Sequence, residues 1–303
     1  MISADKFKIV GCQDADSEKI MRPSMTYWQD AWRRLKKNRV AIISMIILII
    51  IITMTLIGPM ISGYAYEVTN SKMINKAPSL EHWFGTDSLG RDIFTRVWVG
   101  GRISMLIGVI GTLTNVIIGC LYGGIAGYFG GKVDHYMMRT VEVLVSIPYL
   151  VMVIIISLYL GAGMFSLVFA LTFTGWTGTA RVVRGQVFQL KEQEFVTAAI
   201  ALGADPMRII IRHLIPNTLG VIIVGITFSI PGLIFAEAFL SFIGLGVQSP
   251  ETSWGALASA ARENIMFYPS QLFFPSFMIA LTMLAFSLFG DGLRDALDPK
   301  LRQ

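Results

Sequence analysis

Residues 191–217 read KEQEFVTAAIALGADPMRIIIRHLIPN, a polar stretch set between two long apolar segments. Its spacing predicts two short helices joined by a tight turn. In the first, Phe195, Ala198, Ala199 and Leu202 fall at i, i+3, i+4 and i+7 and make one apolar stripe. Gly203 suits the position just past that helix, because a residue without Cβ takes positive φ freely. Asp205 suits the N-cap of the second helix, and Pro206 its first position, where a missing N–H costs nothing. Met207, Ile210, Ile211 and Leu214 repeat the apolar spacing, and Pro216 is expected to end the second helix. The stretch carries too much helix signal for a passive linker and is too short to bury two stripes by itself. It must rest on something: a membrane surface, with Arg208 and Arg212 at lipid headgroups, or another protein.

The flanking segments set the class. Of 303 residues, 54% are hydrophobic and 15% charged, the proportions of a polytopic membrane protein. No Asp, Glu, Lys or Arg occurs in 40–66, 103–131, 143–180, 213–236 or 264–290. A spanning helix needs about 20 mostly apolar residues. The third gap is nearly twice that long and is broken by Gly161-Ala162-Gly163, so it reads as a helical hairpin. The chain is therefore expected to be all-α with six transmembrane helices, at about 40–61, 103–126, 140–160, 164–182, 218–240 and 271–290. Of the 25 Lys and Arg, 19 fall in 1–39, 127–139, 181–217 and 291–303. An excess of basic residues marks the cytoplasmic side, which then holds both termini and the 191–217 stretch. The expected divisions are a tail and interfacial helix over 1–39, a first span and external loop over 40–102, a core over 103–290 that includes the loop 185–217, and a tail over 291–303. The net charge of +5 is mostly this topology signal. It does not imply nucleic acid, since the basic residues lack interleaved aromatics and a folded soluble unit.

Elsewhere the chain offers local signals. Residues 1–25 read as a mobile polar tail. Tyr27, Trp28, Ala31 and Leu35 predict an amphipathic helix on the inner leaflet. The first apolar run starts at residue 40 and is long enough to stay as an anchor. Gly119, Gly123 and Gly127 have the spacing of a close helix–helix contact. Glu142 is placed to pair with Arg139, and Ser146 and Pro148 to loosen the third span. Pro231-Gly232 interrupts the fifth span, and Glu237 near its outer end is either a gate residue or a structural hydrogen-bonding group. In the first external loop Asp87, Arg91, Asp92 and Arg96 are expected to pair locally in a solvated turn. Trp254, Tyr268 and Pro269 read as interface and turn residues. Cys12 and Cys120 are expected as free thiols. His82, His135 and His213 lie in three separate loops. The sequence has no phosphate-binding glycine loop with its lysine, no metal-ligand cluster and no nucleophile–base pair.

Ala198-Ala199, then Gly203, then a short run to Pro216 resembles the EAA loop of ABC-importer permeases, whose coupling helix sits in a groove on a cytoplasmic ATPase. Thr197 stands where that motif usually has Glu, His213 where it has Ile, and Ile215 where it has Leu. The strings HWFGTDSLGRDIFTRVWVGGRISM (82–105), FAEAFLSFIGLG (235–246) and GDGLRDALDP (290–299) are similar to segments of the C-type permease subunit of oligopeptide and dipeptide importers. The resemblance implies the type I importer permease fold, one extra span plus a five-helix core. It implies that Glu194, Thr197, Ala198, Ala199, Gly203, Ala204, Asp205, Pro206, Arg208 and Pro216 meet an ATPase. The implied partners are a second homologous permease forming a heterodimer, two ABC ATPase subunits, an external substrate-binding protein, the peptide and the lipid bilayer. The chain itself would be a non-catalytic pore subunit of the bacterial inner membrane without a cofactor, ATP and Mg being held by the ATPases. Oligopeptides are the expected cargo, with dipeptides, glutathione or nickel as alternatives within the family. A secondary transporter would show paired intramembrane carboxylates and broken helices in two repeats, which this sequence lacks.

Overall fold

The computed structural model describes residues 26–161 and 163–298. The expected polar tail, with Cys12, and residues 299–303 lie outside that range. The described chain is helical, with one isolated bridge between Thr86 and Asp92 as its sole extended pairing.

Helix α1 (Tyr27–Lys37) starts at a capping box, in which Thr26 accepts from Gln29 N and the Gln29 side chain accepts from Thr26 N. Asn38 then caps α2 (Arg39–Ser62), a run of Ile, Leu and Met that Gly63 terminates in the left-handed region at φ 72°. α1 buries Ala31 and turns Leu35 onto Ala41 and Ala296, while Trp28 and Trp32 face outward. One face of the helix expected on the inner leaflet therefore rests on protein.

α3 (Ile93–Phe129) begins ten residues before the expected second span, because Asp92 caps it within the external loop. At 37 residues it is about 55 Å long, well beyond a hydrocarbon core of about 30 Å. It packs along α6 (Met164–Leu190). A Cβ on Gly119 would lie 2.6 Å from Thr179 Cβ, one on Gly127 2.8 Å from the Arg184 carbonyl, and one on Gly123 would overlap the Ala180 carbonyl. The glycine spacing is therefore a packing seam.

Between them the expected third span is broken. α4 (Gly131–Ser146) and α5 (Tyr149–Leu160) meet at an 82° bend. Pro148 cannot continue α4, and it forces Ile147 into an extended conformation at ψ 128°. α5 has 12 residues, about 18 Å, too short to cross alone. Gly161 and Gly163, at φ 81° and 146°, then turn the chain into α6 as expected for the hairpin.

The 191–217 stretch holds α7 (Glu194–Ala201) and α8 (Pro206–Ile209). α8 does not stop at Pro216. It passes through a π turn (Ile210–Leu214) into α9 (Ile215–Phe242), giving one helical run Pro206–Phe242 of 37 residues. The Ile215 N–H bonds back to Ile210 O, five residues earlier, which widens the turn where the Pro216 ring would otherwise strike a carbonyl. α10 (Trp254–Ala261) and α11 (Pro269–Leu297) complete the chain. Trp254, expected at an interface, is fully buried and donates its indole N–H to Val97 O at 2.8 Å, in a slot opened by Gly101.

Among the described residues four helical runs are long and apolar enough to cross a membrane, α2, α3, Pro206–Phe242 and α11, or five if the bent pair α4–α5 counts as one span. α6 is long enough but less apolar, because Thr172, Thr174, Gly175, Thr177, Gly178 and Thr179 occupy its middle. Of these, Gly175 and Thr179 meet Asn115 and Gly119 of α3. The core divides into one cluster around α2, α3, α9, α10 and α11, a second around α3, α5, α6 and α9, and a third that ties α3 and α6 to the 191–217 stretch.

Candidate functional site

The 191–217 stretch is held from one side. Val196 and Ala199 of α7, with Ile209, Ile210 and Leu214, bury themselves against Cys120, Val183, Val187 and Ile222. Of the four residues of the expected first stripe, only Ala199 faces the bundle. Phe195, Ala198 and Leu202 are exposed, Leu202 at 88%, as are Met207 and Ile211 of the second. The turn between the helices is tightly made. Gly203 takes φ 78°, its N–H bonds to Ile200 O at 2.9 Å, and the Ala204 N–H bonds to Ala199 O at 3.0 Å. This is the paired closure that a left-handed C′ residue permits. Asp205 accepts from Met207 N at 3.0 Å, and Pro206 takes the first helical position. Glu194 opens α7; Thr197, Arg208 and Pro216 are exposed, and Ala204 is half-buried.

At the far end of α9, Glu237 has no exposed surface and lies among hydroxyls. Ser104 of α3 and Ser241 of α9 each donate to its carboxylate at 2.7 Å, and Trp254 N of α10 donates to Ser104 Oγ at 3.2 Å. The carboxylate thus joins three helices. Pro231 is buried within α9, which runs unbroken through Pro231 and Gly232.

The charged turn at 85–96 is not solvated as expected. Asp87 accepts from the N–H groups of Leu89 and Arg91 and from Arg91 Nε at 2.7 Å. Arg96 lies 3.7 Å from the same carboxylate and donates to Tyr66 O and Thr252 Oγ1. Asp92 accepts from Thr95 N at 2.8 Å and faces His82 Nδ1 at 2.9 Å. His82, Arg91, Asp92 and Arg96 are all buried. The loop folds under α11, whose Gln271 amide donates to Asn75 Oδ1 and Thr86 O at 2.9 Å. Charges survive this burial because each is paired.

One pair was not foreseen. Arg184 of α6 donates through two nitrogens to both oxygens of Asp134 on α4, 50 residues away. The pair sits at the wall of a cavity of about 840 Å³ between α4 and α6. Arg139 meets Glu142 there at 3.1 Å, as the spacing suggested.

Comparison with known proteins fits this arrangement. The profile of the family described as "Binding-protein-dependent transport system inner membrane component" matches residues 115–303. A second, "N-terminal TM domain of oligopeptide transport permease C", matches residues 26–78. The dipeptide transport system permease protein DppC of Bacillus subtilis is 50% identical over 292 residues, 96% of this chain and 91% of that protein. The oligopeptide transport system permease protein OppC of the same organism is 47% identical over 302 residues, 100% of this chain and 99% of that one. Its Escherichia coli K12 counterpart is 44% identical over 94% of this chain and 95% of that protein. The chain belongs to the binding-protein-dependent transport system inner membrane component family. It is a multi-pass inner-membrane protein of that family, and its Ala198-Ala199 to Pro216 stretch is a half-exposed element rooted in the bundle.

Within that family frame, two clusters escaped sequence reasoning. Ser104, Ser253 and Trp254 gather around Glu237 and Ser241, and of these only Glu237 and Trp254 were marked in the sequence, Trp254 for an interface. Asp134 and Arg184 carried no signal at all, since nothing in a linear reading brings positions 50 apart together.

Proposed function

We propose that this chain is the transmembrane permease subunit of an ATP-driven importer, taking up oligopeptides that an external binding protein delivers. It forms half of the pore with a second, homologous permease. Two ATPase subunits beneath hold ATP and Mg and do the hydrolysis, so this subunit is not itself an enzyme. On this reading α4–α5 and α6 complete six crossings, and both termini and the 191–217 stretch are cytoplasmic, as the distribution of Lys and Arg requires.

The observation that carries the reading is the exposed apolar ridge of Phe195, Ala198, Leu202, Met207 and Ile211 on an element whose other side is locked into α3 and α6. Such a ridge suits a protein partner. The unbroken run from Pro206 to Phe242 makes the coupling mechanical. A displacement of α8 is transmitted along about 47 Å of helix to the Glu237 junction with α3 and α10. ATP-driven closure of the ATPases therefore moves both ends of α9 together, and the spans rock between inward-open and outward-open.

Peptide as cargo is supported by the two Bacillus relatives, one named for dipeptides and one for oligopeptides. The N-terminal match to the oligopeptide permease supports the longer cargo, while the dipeptide relative keeps the shorter one in view. Uptake of di-, tetra- and hexa-alanine by the assembled transporter separates them. The docking claim is tested by Ala198→Glu, which sets an unpaired charge on the ridge. The ATPases are expected to be lost on purification while the second permease is retained. Undiminished ATPase recovery would mean that the ridge faces something else.

A further inference from the structure

The α4–α6 cavity has a chemistry that the packing does not use up. It is lined by Asp134, His135, Met138, Arg139, Glu142, Arg181 and Arg184, with Gly131 and Phe188 at its margins. Asp134 is engaged by Arg184, and Glu142 by Arg139. Arg181 is left: among the described residues it has no hydrogen-bond or ion-pair partner, and it lies exposed one turn before Arg184 on the same wall. Arg181 lies at the end of α6 that carries the basic residues, where a guanidinium meets water rather than lipid. The space, about 840 Å³, falls within the range of about 300–1,000 Å³ that takes small organic ligands. A guanidinium offers two parallel N–H donors, the match of a carboxylate.

Resting on the peptide-import reading, we propose that this cavity is the cytoplasmic half of the translocation path and that Arg181 receives the peptide's C-terminal carboxylate there. The opposite wall is α4, which buries only Val141 of its 16 residues and is bent away from α5. That wall is lightly held, as an exit requires. Every peptide ends in a carboxylate unless capped, so this contact grips cargo of any sequence without reading side chains. The paired carboxylates Asp134 and Glu142 are neutralised locally and do not repel it.

The test uses the complete transporter in inverted membrane vesicles. Cys12 and Cys120 are replaced by Ser, and Met138→Cys places a thiol on the α4 wall. N-ethylmaleimide modification of that thiol is timed with millimolar tetra-alanine or its C-terminal amide. Tetra-alanine is expected to slow labelling, and the amide to leave it unchanged. Adding Arg181→Gln should weaken the protection roughly tenfold, the worth of a charge-assisted hydrogen bond, with Arg181→Lys between the two. Equal protection by acid and amide, protection that survives Arg181→Gln, or no protection at all overturns the proposal. So does loss of the second permease from the Arg181→Gln complex, which would make the cavity a subunit interface. Peptide uptake by the parent transporter is measured in parallel. Its absence would sink the import reading itself, whereas uptake without protection sinks only the role of this cavity.

Discussion

Glu237 illustrates what one residue contributes when burial and hydrogen bonding are settled together. The sequence placed an ionisable group in an apolar run and left two roles open. The geometry favours the structural one, since two serine hydroxyls from different helices donate to the carboxylate and no surface of it is exposed. Glu237→Ala would leave Ser104 and Ser241 without their acceptor. The expected loss is about 1–3 kcal/mol for each buried group left unsatisfied, read as a lower Tm of the detergent-solubilised protein. Glu237→Gln keeps an acceptor oxygen in place and should recover most of that loss. A Tm equal to the parent's in the Ala variant would show that the hydroxyls find other partners. The serines were invisible beforehand because Ser is common in spans and marks nothing until a third helix brings it to a carboxylate.

Elements were legible where a local rule governs them. The α7–α8 turn followed from Gly203, Asp205 and Pro206, each of which acts on its immediate neighbours. The end of α8 was misjudged because Pro216 is a helix breaker only if the register stays at four residues, and the π turn changes it. Gly203 has open space around the position of an added Cβ, so a side chain there meets only the penalty of its positive φ. Gly203→Val should cost about 1–2 kcal/mol of local backbone strain and tilt α7 against α8. ATP hydrolysis is then expected to continue while peptide uptake falls, with normal membrane insertion. Gly203→Asn, tolerant of that conformation, should keep uptake. Unimpaired uptake by the Val variant would remove the turn from the coupling route. α4 offers the complementary case. With little apolar burial of its own, it depends on Asp134 for its seat on α6. Asp134→Asn should speed hydrogen exchange along 131–146 and leave α3 unchanged, whereas unaltered exchange in α4 would show the pair to be incidental.

At the scale of the molecule, hydropathy and charge alone gave the membrane class, because a bilayer imposes long uncharged runs whatever the cargo. They did not give the bend between α4 and α5, the early start of α3 at Ile93, or the buried charge cluster at 82–96. Pro148 marked a weak point in the third span but not the size of the bend, and hydropathy has no term for the Asp92 cap that starts α3 or for the segments that cover the charged turn. α6 shows the limit most clearly: its Thr and Gly residues lower its apolarity for the sake of packing on α3, so composition and architecture pull apart. The central claim is that the 191–217 element lies in the cytoplasm and is covered by an ATPase. It is tested most directly by Ala198→Cys in a background lacking Cys12 and Cys120, treated with a membrane-impermeant maleimide. Labelling is expected in inverted vesicles stripped of the ATPases, to fall when those subunits rebind, and to be absent in intact cells; labelling of intact cells, or no protection by the ATPases, would contradict it.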